Sequence, residues 1–224
     1  YKFINYVSAL AADKCLFNSS YNMNSFLGAL PLFLNIFPDH RNHETVNDIR
    51  QKSHILPLGL DLNPIQFVAK SKKTSETLSI LWNHRWEYDK NPEAFFSTLF
   101  RLQDEHIPFS VIVLGEKGKR CPDVFIKANK RLASHSLHWG YCTVKTDYYT
   151  WVSSADLLPV TSNQDFFGGS VIEAVALGVY PIIPKRLAYE EHFSDFPEVY
   201  YETSEELYQK LKNQLIASVS YTHL

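Results

Sequence analysis

The sequence predicts an α/β protein whose main sheet is parallel and covered by helices on both faces. From Leu78 onward, apolar runs of strand length alternate regularly with segments of helix length. The strand-like runs are continuously apolar, which is typical of parallel strands buried on both faces. The chain has 224 residues, 45% of them hydrophobic, which suffices for one such domain and part of a second.

Five strand–helix pairs are expected in the C-terminal part of the chain. The predicted strands are Leu78–Trp82, Phe109–Leu114, Leu137–Gly140, Leu157–Thr161 and Tyr180–Ile183. The predicted helices are Pro92–Glu105, Pro122–Ser134, Asp147–Ser154, Ser170–Leu177 and Ser204–Leu215. Ligands of such sheets bind outside the carboxyl ends of the strands, so the residues just after each strand are the place to seek chemistry.

The N-terminal part reads as the end of another α/β domain. Its predicted elements are a helix over Phe3–Ala12, a strand at Cys15–Phe17, a helix over Asn24–Phe37 and a strand within Ile55–Asp61. We assign residues 1–62 to this domain, 63–77 to a linker, 78–216 to the second domain and 217–224 to a tail. Because the chain opens on Tyr1 in what reads as mid-helix, we expect an N-terminally truncated fragment.

Composition argues against several classes of partner. Twenty-two Lys and Arg face 24 Asp and Glu, so the net charge is −2 and a nucleic acid would need a local basic patch. The cysteines, Cys15, Cys121 and Cys142, form no C-x-x-C pair, and their odd number favours a reduced, cytoplasmic setting. No apolar run has the length of a membrane span, so no membrane partner is expected.

The segment Asp165–Ala174 is the strongest candidate site. It follows a predicted strand, and Gly168 and Gly169 precede the next predicted helix. Glycine lets a phosphate approach the backbone, and the N–H groups and dipole of a helix N-terminus favour a diphosphate. Glu173 leans back towards that N-terminus, where it can accept hydrogen bonds from both ribose hydroxyls. Asp165 precedes the turn, within reach of a sugar attached to the diphosphate.

The plain alternative for this segment is a helix with an acidic first turn and a Gly-rich entry. That alternative would suffice for the two glycines alone. The full pattern is an acid, seven residues, a second acid, Ala174 and the downstream Gly178-Val179-Tyr180-Pro181. Because this pattern follows a predicted parallel strand, it favours a functional interpretation of the segment.

The loop after the first strand of the same domain carries two cations. Arg85 and Lys90 are five residues apart in the segment Trp82–Pro92, so both can point into one cleft. Arg binds two phosphate oxygens at once, and Lys adds a point charge. The alternative is surface ion pairing with Glu87 and Asp89. Beside a diphosphate-binding turn, the phosphate-binding interpretation is favoured.

Other patterns carry less weight. Two His-x-x-His pairs lack a third ligand in register, so neither a metal nor any other cofactor is expected. Arg85, Lys90 and the helix N-terminus can supply the charge stabilisation instead. No G-x-G-x-x-G, P-loop or catalytic Ser motif occurs, which disfavours a dehydrogenase. The four Trp favour core packing over base stacking, and Lys70–Lys73 favours a solvated linker over an RNA contact.

The acid-x7-acid segment resembles the signature of family 4 retaining glycosyltransferases, and Arg85 and Lys90 match the spacing of that family's first loop. The resemblance implies a GT-B fold with two Rossmann-like domains and the donor held in the second. It also implies that Glu173 holds the nucleotide ribose, that Asp165 lies near the donor sugar and that the cations neutralise the diphosphate. Asp165 stands where the family usually has the longer Glu.

More specific segments resemble the tRNA-queuosine α-mannosyltransferases over about residues 1–210. These are Phe17–Met23, Pro38–Arg41, Ile80–Glu87, His138–Tyr141 and Asp165–Gly168. The resemblance implies a hexosyltransferase with GDP-mannose as donor and queuosine in a tRNA as acceptor. The N-terminal Gly-rich and His-containing segments of that family have no counterpart in the chain.

Two alternatives stay open. One is a related glycosyltransferase acting on a lipid, a glycan or a small molecule, and the other is a non-catalytic fragment that binds nucleotide sugar. For the chain by itself we expect weak donor binding, no sugar transfer, and aggregation through an exposed apolar face. The residues predicted to form that face are Phe3, Ile4, Leu10, Leu16 and Phe17.

Overall fold

A computed structural model describes residues 2–63, 65, 77–118 and 120–221. The chain divides into two compact units. Unit 1 comprises residues 1–59, 165–167 and 187–192, and unit 2 comprises 60–164, 168–186 and 193–224. The linker predicted at 63–77 lies almost wholly outside the described residues, and the predicted domain boundaries stay a prediction.

Unit 1 is a small layered unit of helices on a two-stranded parallel sheet. Its elements are α1 (Lys2–Ala11), β1 (Cys15–Phe17), α2 (Ser20–Leu34), α3 (Thr45–Gln51), β2 (Ser53–Ile55) and α8 (Tyr189–His192). Strand β1 pairs with β2 from Cys15 opposite Ser53 to Phe17 opposite Ile55. The core lies between the helices and the sheet and contains Leu27, Leu30, Leu34 and Ile49, all at most 3% exposed.

The N-terminus of α2 is fully capped within unit 1. The Ser19 hydroxyl accepts a hydrogen bond from the Asn22 N–H at 3.0 Å, as an N-cap serine does. The N–H groups of Ser20 and Tyr21 donate to the two carboxylate oxygens of Glu191 at 2.9 and 2.5 Å. These contacts fix the start of α2 at Ser20, four residues before the predicted start.

One sequence prediction for unit 1 is wrong, and one helix was missed. The strand expected within Ile55–Asp61 lies at β2, and only Ile55 belongs to both ranges. The last contact of the pairing is from Leu56 N to Phe17 O at 2.7 Å. Helix α3 was not predicted, since its seven residues are too few to show a helical repeat.

Unit 2 is built on a six-stranded, all-parallel sheet with the order β5-β4-β3-β6-β7-β8. The strands are β3 (Ser79–Trp82), β4 (Ser110–Leu114), β5 (Ser136–Gly140), β6 (Leu157–Pro159), β7 (Tyr180–Pro184) and β8 (Tyr200–Tyr201). The helices are α4 (Pro92–Asp104), α5 (Val124–Arg131), α6 (Lys145–Ser153), α7 (Gly169–Ala176) and α9 (Ser204–Tyr221). This confirms the predicted α/β class with a parallel sheet and flanking helices.

Aromatic side chains dominate the core of unit 2. Trp82 is completely buried and contacts Phe95, Phe96 and Phe125 with ring centroids 5.0 to 6.1 Å apart. Trp86 stacks on Phe125 at 4.5 Å with the rings 7° from parallel. Such pairs each add about 0.5–1.5 kcal/mol beyond burial of area. Core packing is therefore the role of these two Trp residues, as the sequence predicted.

Several helix ends differ from the predicted ones. Helix α5 ends at Arg131 and gives way to a 3-10 turn at Ala133–His135, whereas α9 continues to Tyr221. No helix in the described ranges is long and apolar enough to cross a membrane. Cys15, Cys121 and Cys142 are all free thiols.

Candidate nucleotide-sugar site

The strand order of unit 2 reverses between β3 and β6, which makes the carboxyl ends of these strands the expected place for a ligand crevice. From β3 the chain proceeds to β4 on one side, whereas β6, β7 and β8 extend the sheet on the other side. The loops that follow β3 and β6 therefore leave the sheet in opposite directions. Open parallel sheets bind ligands at such a switch point, outside the carboxyl ends of the strands. Both segments chosen from the sequence start here.

Several hydrogen bonds join the loop after β3 to the loop after β6. Lys90 Nζ donates to Gln164 O at 2.8 Å, and Asn163 N donates to Asp89 O at 2.8 Å. The Thr161 hydroxyl lies 2.9 Å from both Lys90 O and Asn91 O, which share its one hydrogen. Asn91 itself adopts φ 52° and caps α4 through its side chain, which fixes the far end of the first loop.

The N-terminus of α7 is opened by glycine. Gly168 has φ 79° and ψ 34°, a left-handed conformation that glycine adopts without strain, and α7 begins at Gly169. The N-cap residue is this glycine, which has no side chain of its own to cap the helix. A helix leaves its first N–H groups without intrahelical acceptors, and its dipole places partial positive charge there. The structure thus has the predicted glycine turn at a helix start, and anion binding there stays a prediction.

The start of α7 is held by the loop after β3. Asn83 Nδ2 donates to Ser170 O at 2.8 Å, and the Ser170 hydroxyl lies 3.1 Å from His84 Nδ1. Both loop side chains are buried, at 6% and 3% exposure. Arg85 follows directly, so the sheet end, the cationic loop and the helix N-terminus form one connected structure.

Glu173 lies one turn into α7, half-buried, with a hydroxyl partner at each carboxylate oxygen. Tyr148 Oη donates to Oε2 at 3.3 Å and Tyr149 Oη donates to Oε1 at 3.4 Å. Burial, together with the charge of Glu173, raises the pKa of Tyr148. Tyr148 therefore remains a donor at neutral pH. The carboxylate is therefore held in place and keeps lone pairs for ribose hydroxyls.

Arg85 and Lys90 differ in exposure. The Arg85 side chain is 58% exposed and contacts Glu87 at 3.1 Å, whereas that of Lys90 is 12% exposed and lies 3.6 Å from Asp89. The ion pairs weighed as the alternative are thus present alongside the proposed site. An exposed pair such as Arg85–Glu87 contributes little stability, so a diphosphate could displace it at small cost.

Asp165 is placed in unit 1 rather than with Glu173 in unit 2. Its Oδ1 accepts a hydrogen bond from Phe167 N at 3.2 Å, and its Oδ2 accepts one from Tyr189 Oη at 3.1 Å. These contacts hold the segment 165–167 next to α8 within unit 1. The contact of Asp165 with a donor sugar stays a prediction.

Sequence reasoning missed two buried polar groups beside the crevice. Asn83 follows β3 and Ser162 lies just beyond β6, and Ser162 is completely buried. Within the described part of the chain, neither Asn83 Oδ1 nor Ser162 Oγ has a hydrogen-bond partner. Buried polar atoms normally have partners, so both are candidates for ligand contact. Their position directly after the strands is the signal that would have found them.

Gly115 explains how the first loop fits against the sheet. It follows β4 with φ 117°, and a Cβ there would lie 2.0 Å from His84 O. Only glycine permits this approach, which brings the backbone of His84 against the end of the neighbouring strand. Trp86 Nε1 donates to Leu114 O at 3.1 Å and closes the same contact.

The described side chains offer no cluster of three His, Cys, Asp or Glu that could hold a metal ion. Positive charge at the crevice comes instead from Arg85, Lys90 and the N-terminus of α7. Binding of the donor without a metal ion stays a prediction.

Solved structures with the same fold include glycosyltransferases. The crystal structure of Anabaena Alr3699/HepE in complex with UDP and glucose aligns with a TM-score of 0.66 at 15% identity, covering 96% of this chain and 58% of that one. A glycosyltransferase from Rickettsia africae aligns with a TM-score of 0.67 at 15% identity, covering 96% and 56%. The chain therefore has the fold of the GT-B glycosyltransferases.

Sequence similarity indicates which glycosyltransferases the chain is related to. Residues 1–60 match the family described as tRNA-queuosine alpha-mannosyltransferase, N-terminal. The chain is 34% identical over 220 residues to the Drosophila melanogaster protein named tRNA-queuosine alpha-mannosyltransferase, covering 95% of this chain. The chain spans 58% of that relative's length. It is thus a relative of the tRNA-queuosine α-mannosyltransferases, which confirms the resemblance found in the sequence.

Proposed function

We propose that the crevice between β3 and β6 binds the nucleoside diphosphate of a sugar donor. We further propose that the protein containing this chain transfers mannose from GDP-mannose, with retention, to queuosine in tRNA. The observation that carries the first proposal is the start of α7. There a left-handed Gly168 opens the helix, and Asn83 from the loop after β3 bonds to Ser170.

The charges around this turn fit a diphosphate. Backbone N–H groups at the start of α7 donate to phosphate oxygens, and Lys90 and Arg85 stand on the adjoining loop. Arg85 can exchange its exposed contact with Glu87 for a bidentate contact with phosphate. Glu173 accepts from the ribose hydroxyls, since Tyr148 and Tyr149 hold its carboxylate in place.

The same groups support the chemical step. In sugar transfer the bond between the anomeric carbon and the diphosphate oxygen breaks, and an acceptor hydroxyl oxygen forms the new bond as its proton leaves. Negative charge grows on the departing diphosphate. Fixed cations and N–H dipoles at that position stabilise the transition state more than the ground state. We assign this role to Arg85, Lys90 and the N-terminus of α7, and contact with the donor sugar to Asp165.

The acceptor and the sugar are proposed from sequence relatives. The name of the Drosophila relative supports a mannosyl group and a tRNA queuosine, and the match of residues 1–60 supports the same family for unit 1. GDP as the nucleotide is proposed from the resemblance of the Trp-containing segments, such as Ile80–Glu87. For the chain alone, which spans 58% of that relative, we propose donor binding without transfer.

The test is a transfer assay with the longest form of the protein that contains this chain. GDP-[14C]mannose is incubated with tRNA that carries queuosine and with the same tRNA carrying guanosine instead. We expect label on the first RNA only, in the presence of EDTA as well as of Mg²⁺. Label on a lipid or glycan fraction, and none on tRNA, would contradict the proposed acceptor.

A matched pair of variants ties the activity to the site. Arg85→Ala should abolish transfer, whereas Arg50→Ala, an exposed arginine of α3 in unit 1, serves as the charge-matched control. Equal activity of the two variants would separate the transfer reaction from the crevice.

A further inference from the structure

One segment of the chain carries a net excess of positive charge. Residues 115–131 contain six Lys or Arg and two acids, while the rest of the chain contains 16 Lys or Arg and 22 acids. This segment joins the end of β4 to α5 and includes α5 itself. A chain with a net charge of −2 thus carries a local excess of four positive charges.

The cations of this segment face solvent. Lys117, Arg120, Lys127 and Lys130 are all exposed. Among the described residues none of these four has a carboxylate within ion-pair distance, unlike Arg131, which pairs with Asp104. Exposed cations without a carboxylate partner are available to an anionic partner, and Lys127 lies 5.7 Å over the ring of Phe100. We call these four residues the basic surface.

Two parts of the basic surface meet at a recess. Lys117, from the loop after β4, and Lys130, from α5, line the same cavity of about 280 Å³. Its walls also include Trp86, Trp139 and Asn129. Trp86 stacks on Phe125 of α5, which fixes the helix against the loop that carries Arg85. The spacing of the two lysines is therefore set by the folded core.

We propose that the basic surface contacts the phosphate backbone of the RNA acceptor. This inference rests on the proposed function, which supplies the RNA, and adds the place where unit 2 would hold it. Lysines that follow a phosphate backbone contribute affinity through the release of counterions, with little dependence on sequence. The four cations lie outside the donor groups assigned above.

A local explanation covers only part of this charge. Lys130 and Arg131 lie in the last turn of α5, where cations stabilise the helix dipole. Lys117 and Arg120 precede the helix, so the dipole gives no reason for them. An anionic membrane is the other polyanion to consider. A recess framed by cations from two elements fits a protruding phosphate better than a flat bilayer surface.

The test measures binding of fluorescently labelled tRNA that lacks queuosine, by anisotropy, to the 224-residue chain. The variant is Lys117→Gln/Lys130→Gln. The control is Lys185→Gln/Lys212→Gln, which changes the net charge equally but removes lysines paired with Glu202 and Glu105. We expect about tenfold weaker binding for the variant, little change for the control, and a salt dependence shallower by about two in slope for the variant.

Parallel calorimetry with GDP separates this proposal from the donor site. We expect GDP affinity and the melting temperature of the variant to match those of the unchanged chain. Undetectable tRNA binding by the unchanged chain, equal tRNA affinity of the two double variants, or an equal loss of GDP affinity would each overturn the proposal. So would binding to anionic vesicles in place of tRNA.

The two proposals fail in different ways. If the variant loses RNA binding while the longest form of the protein transfers no mannose, the RNA contact of the basic surface is supported and the proposed reaction is contradicted. If transfer occurs and the two double variants bind RNA equally, the reaction stands and the RNA contact lies elsewhere.

Discussion

Lys90 Nζ donates a 2.8 Å hydrogen bond to the carbonyl oxygen of Gln164. This contact joins the loop after β3 to the loop after β6 across the switch point of the sheet. It also places the ammonium group, 12% exposed, immediately before the segment that leads into Gly168 and α7. A lysine has three donors, so Lys90 can keep this contact and still bind a phosphate oxygen.

The first prediction concerns the two cations of the first loop. Arg85→Ala and Lys90→Ala should weaken binding of GDP much more than binding of guanosine, because both cations act on the diphosphate. The loss for GDP should be about 1.5–3 kcal/mol for each variant, which is the range for hydrogen bonds to charged groups. Isothermal titration calorimetry with both ligands gives the comparison, and equal losses for the two ligands would make the pair structural.

The second prediction concerns the approach of Gly115 to His84. Gly115→Ala should lower the free energy of unfolding by roughly 2 kcal/mol or more, since φ 117° is strained and the new Cβ would lie 2.0 Å from a carbonyl oxygen. Gly28→Ala is the control, because Gly28 lies in α2 with nothing within 4 Å of an added Cβ. That control should be neutral or stabilising by up to about 1 kcal/mol. Urea unfolding of both variants is the measurement, and similar stability would refute the close approach.

The third prediction concerns Tyr201 of β8, which donates a 2.6 Å hydrogen bond to Val160 O just after β6. Burial raises the pKa of Tyr201 to about 12, above the value of about 10 for an unfolded chain. The folded state therefore keeps its proton where the unfolded state loses it, and stability falls as pH rises from about 10 to about 12.

Tyr201→Phe should flatten this alkaline loss and cost about 1 kcal/mol at neutral pH through the lost hydrogen bond. Thermal melting between pH 8 and pH 12 is the measurement. Tyr141→Phe is the control, because Tyr141 is exposed, and it should leave the curve of melting temperature against pH unchanged. A Tyr201→Phe curve parallel to that of the unchanged chain would show that this hydroxyl is not buried.

The fourth prediction concerns the apolar residues of unit 1. Phe3, Ile4, Leu10 and Leu16 are 38–62% exposed, as the sequence predicted, whereas Phe17 is partly buried against Phe26. We expect the chain to self-associate at high concentration and Ile4→Ser/Leu16→Ser to reduce this. Light scattering across a concentration series tests it. A monomeric profile of the unchanged chain would count against it.

The sequence predicted the parallel sheet of unit 2 because each strand is a continuous apolar run. It also predicted the start of α7, since Gly168 and Gly169 mark the turn directly. It placed the second strand of unit 1 too late, because the apolar run from Ile55 to Leu60 continues past the end of the pairing. Short elements such as α3 and β8 escaped prediction because they are too short to show a period.

At the site, the charged groups were predictable and the buried polar groups were not. Arg85, Lys90 and Glu173 stand out by type and spacing. Asn83 and Ser162 do not, because their significance comes from burial without a partner, which depends on neighbours far away in the chain. The two tyrosines that hold Glu173 come from α6, and nothing in their spacing points to α7.

The most direct test of the account is calorimetric titration of GDP-mannose into the chain and into its Glu173→Ala variant. Loss of the carboxylate leaves ribose hydroxyls unpaired in the crevice, which should cost roughly 1–3 kcal/mol, or about a fivefold to 150-fold loss of affinity. Tyr149→Phe removes one of the hydroxyls that hold Glu173. Its affinity for GDP-mannose should lie between those of the unchanged chain and of Glu173→Ala. The account predicts measurable binding by the unchanged chain and this order of affinities. Unchanged affinity of Glu173→Ala would remove Glu173 from the site and contradict the central claim.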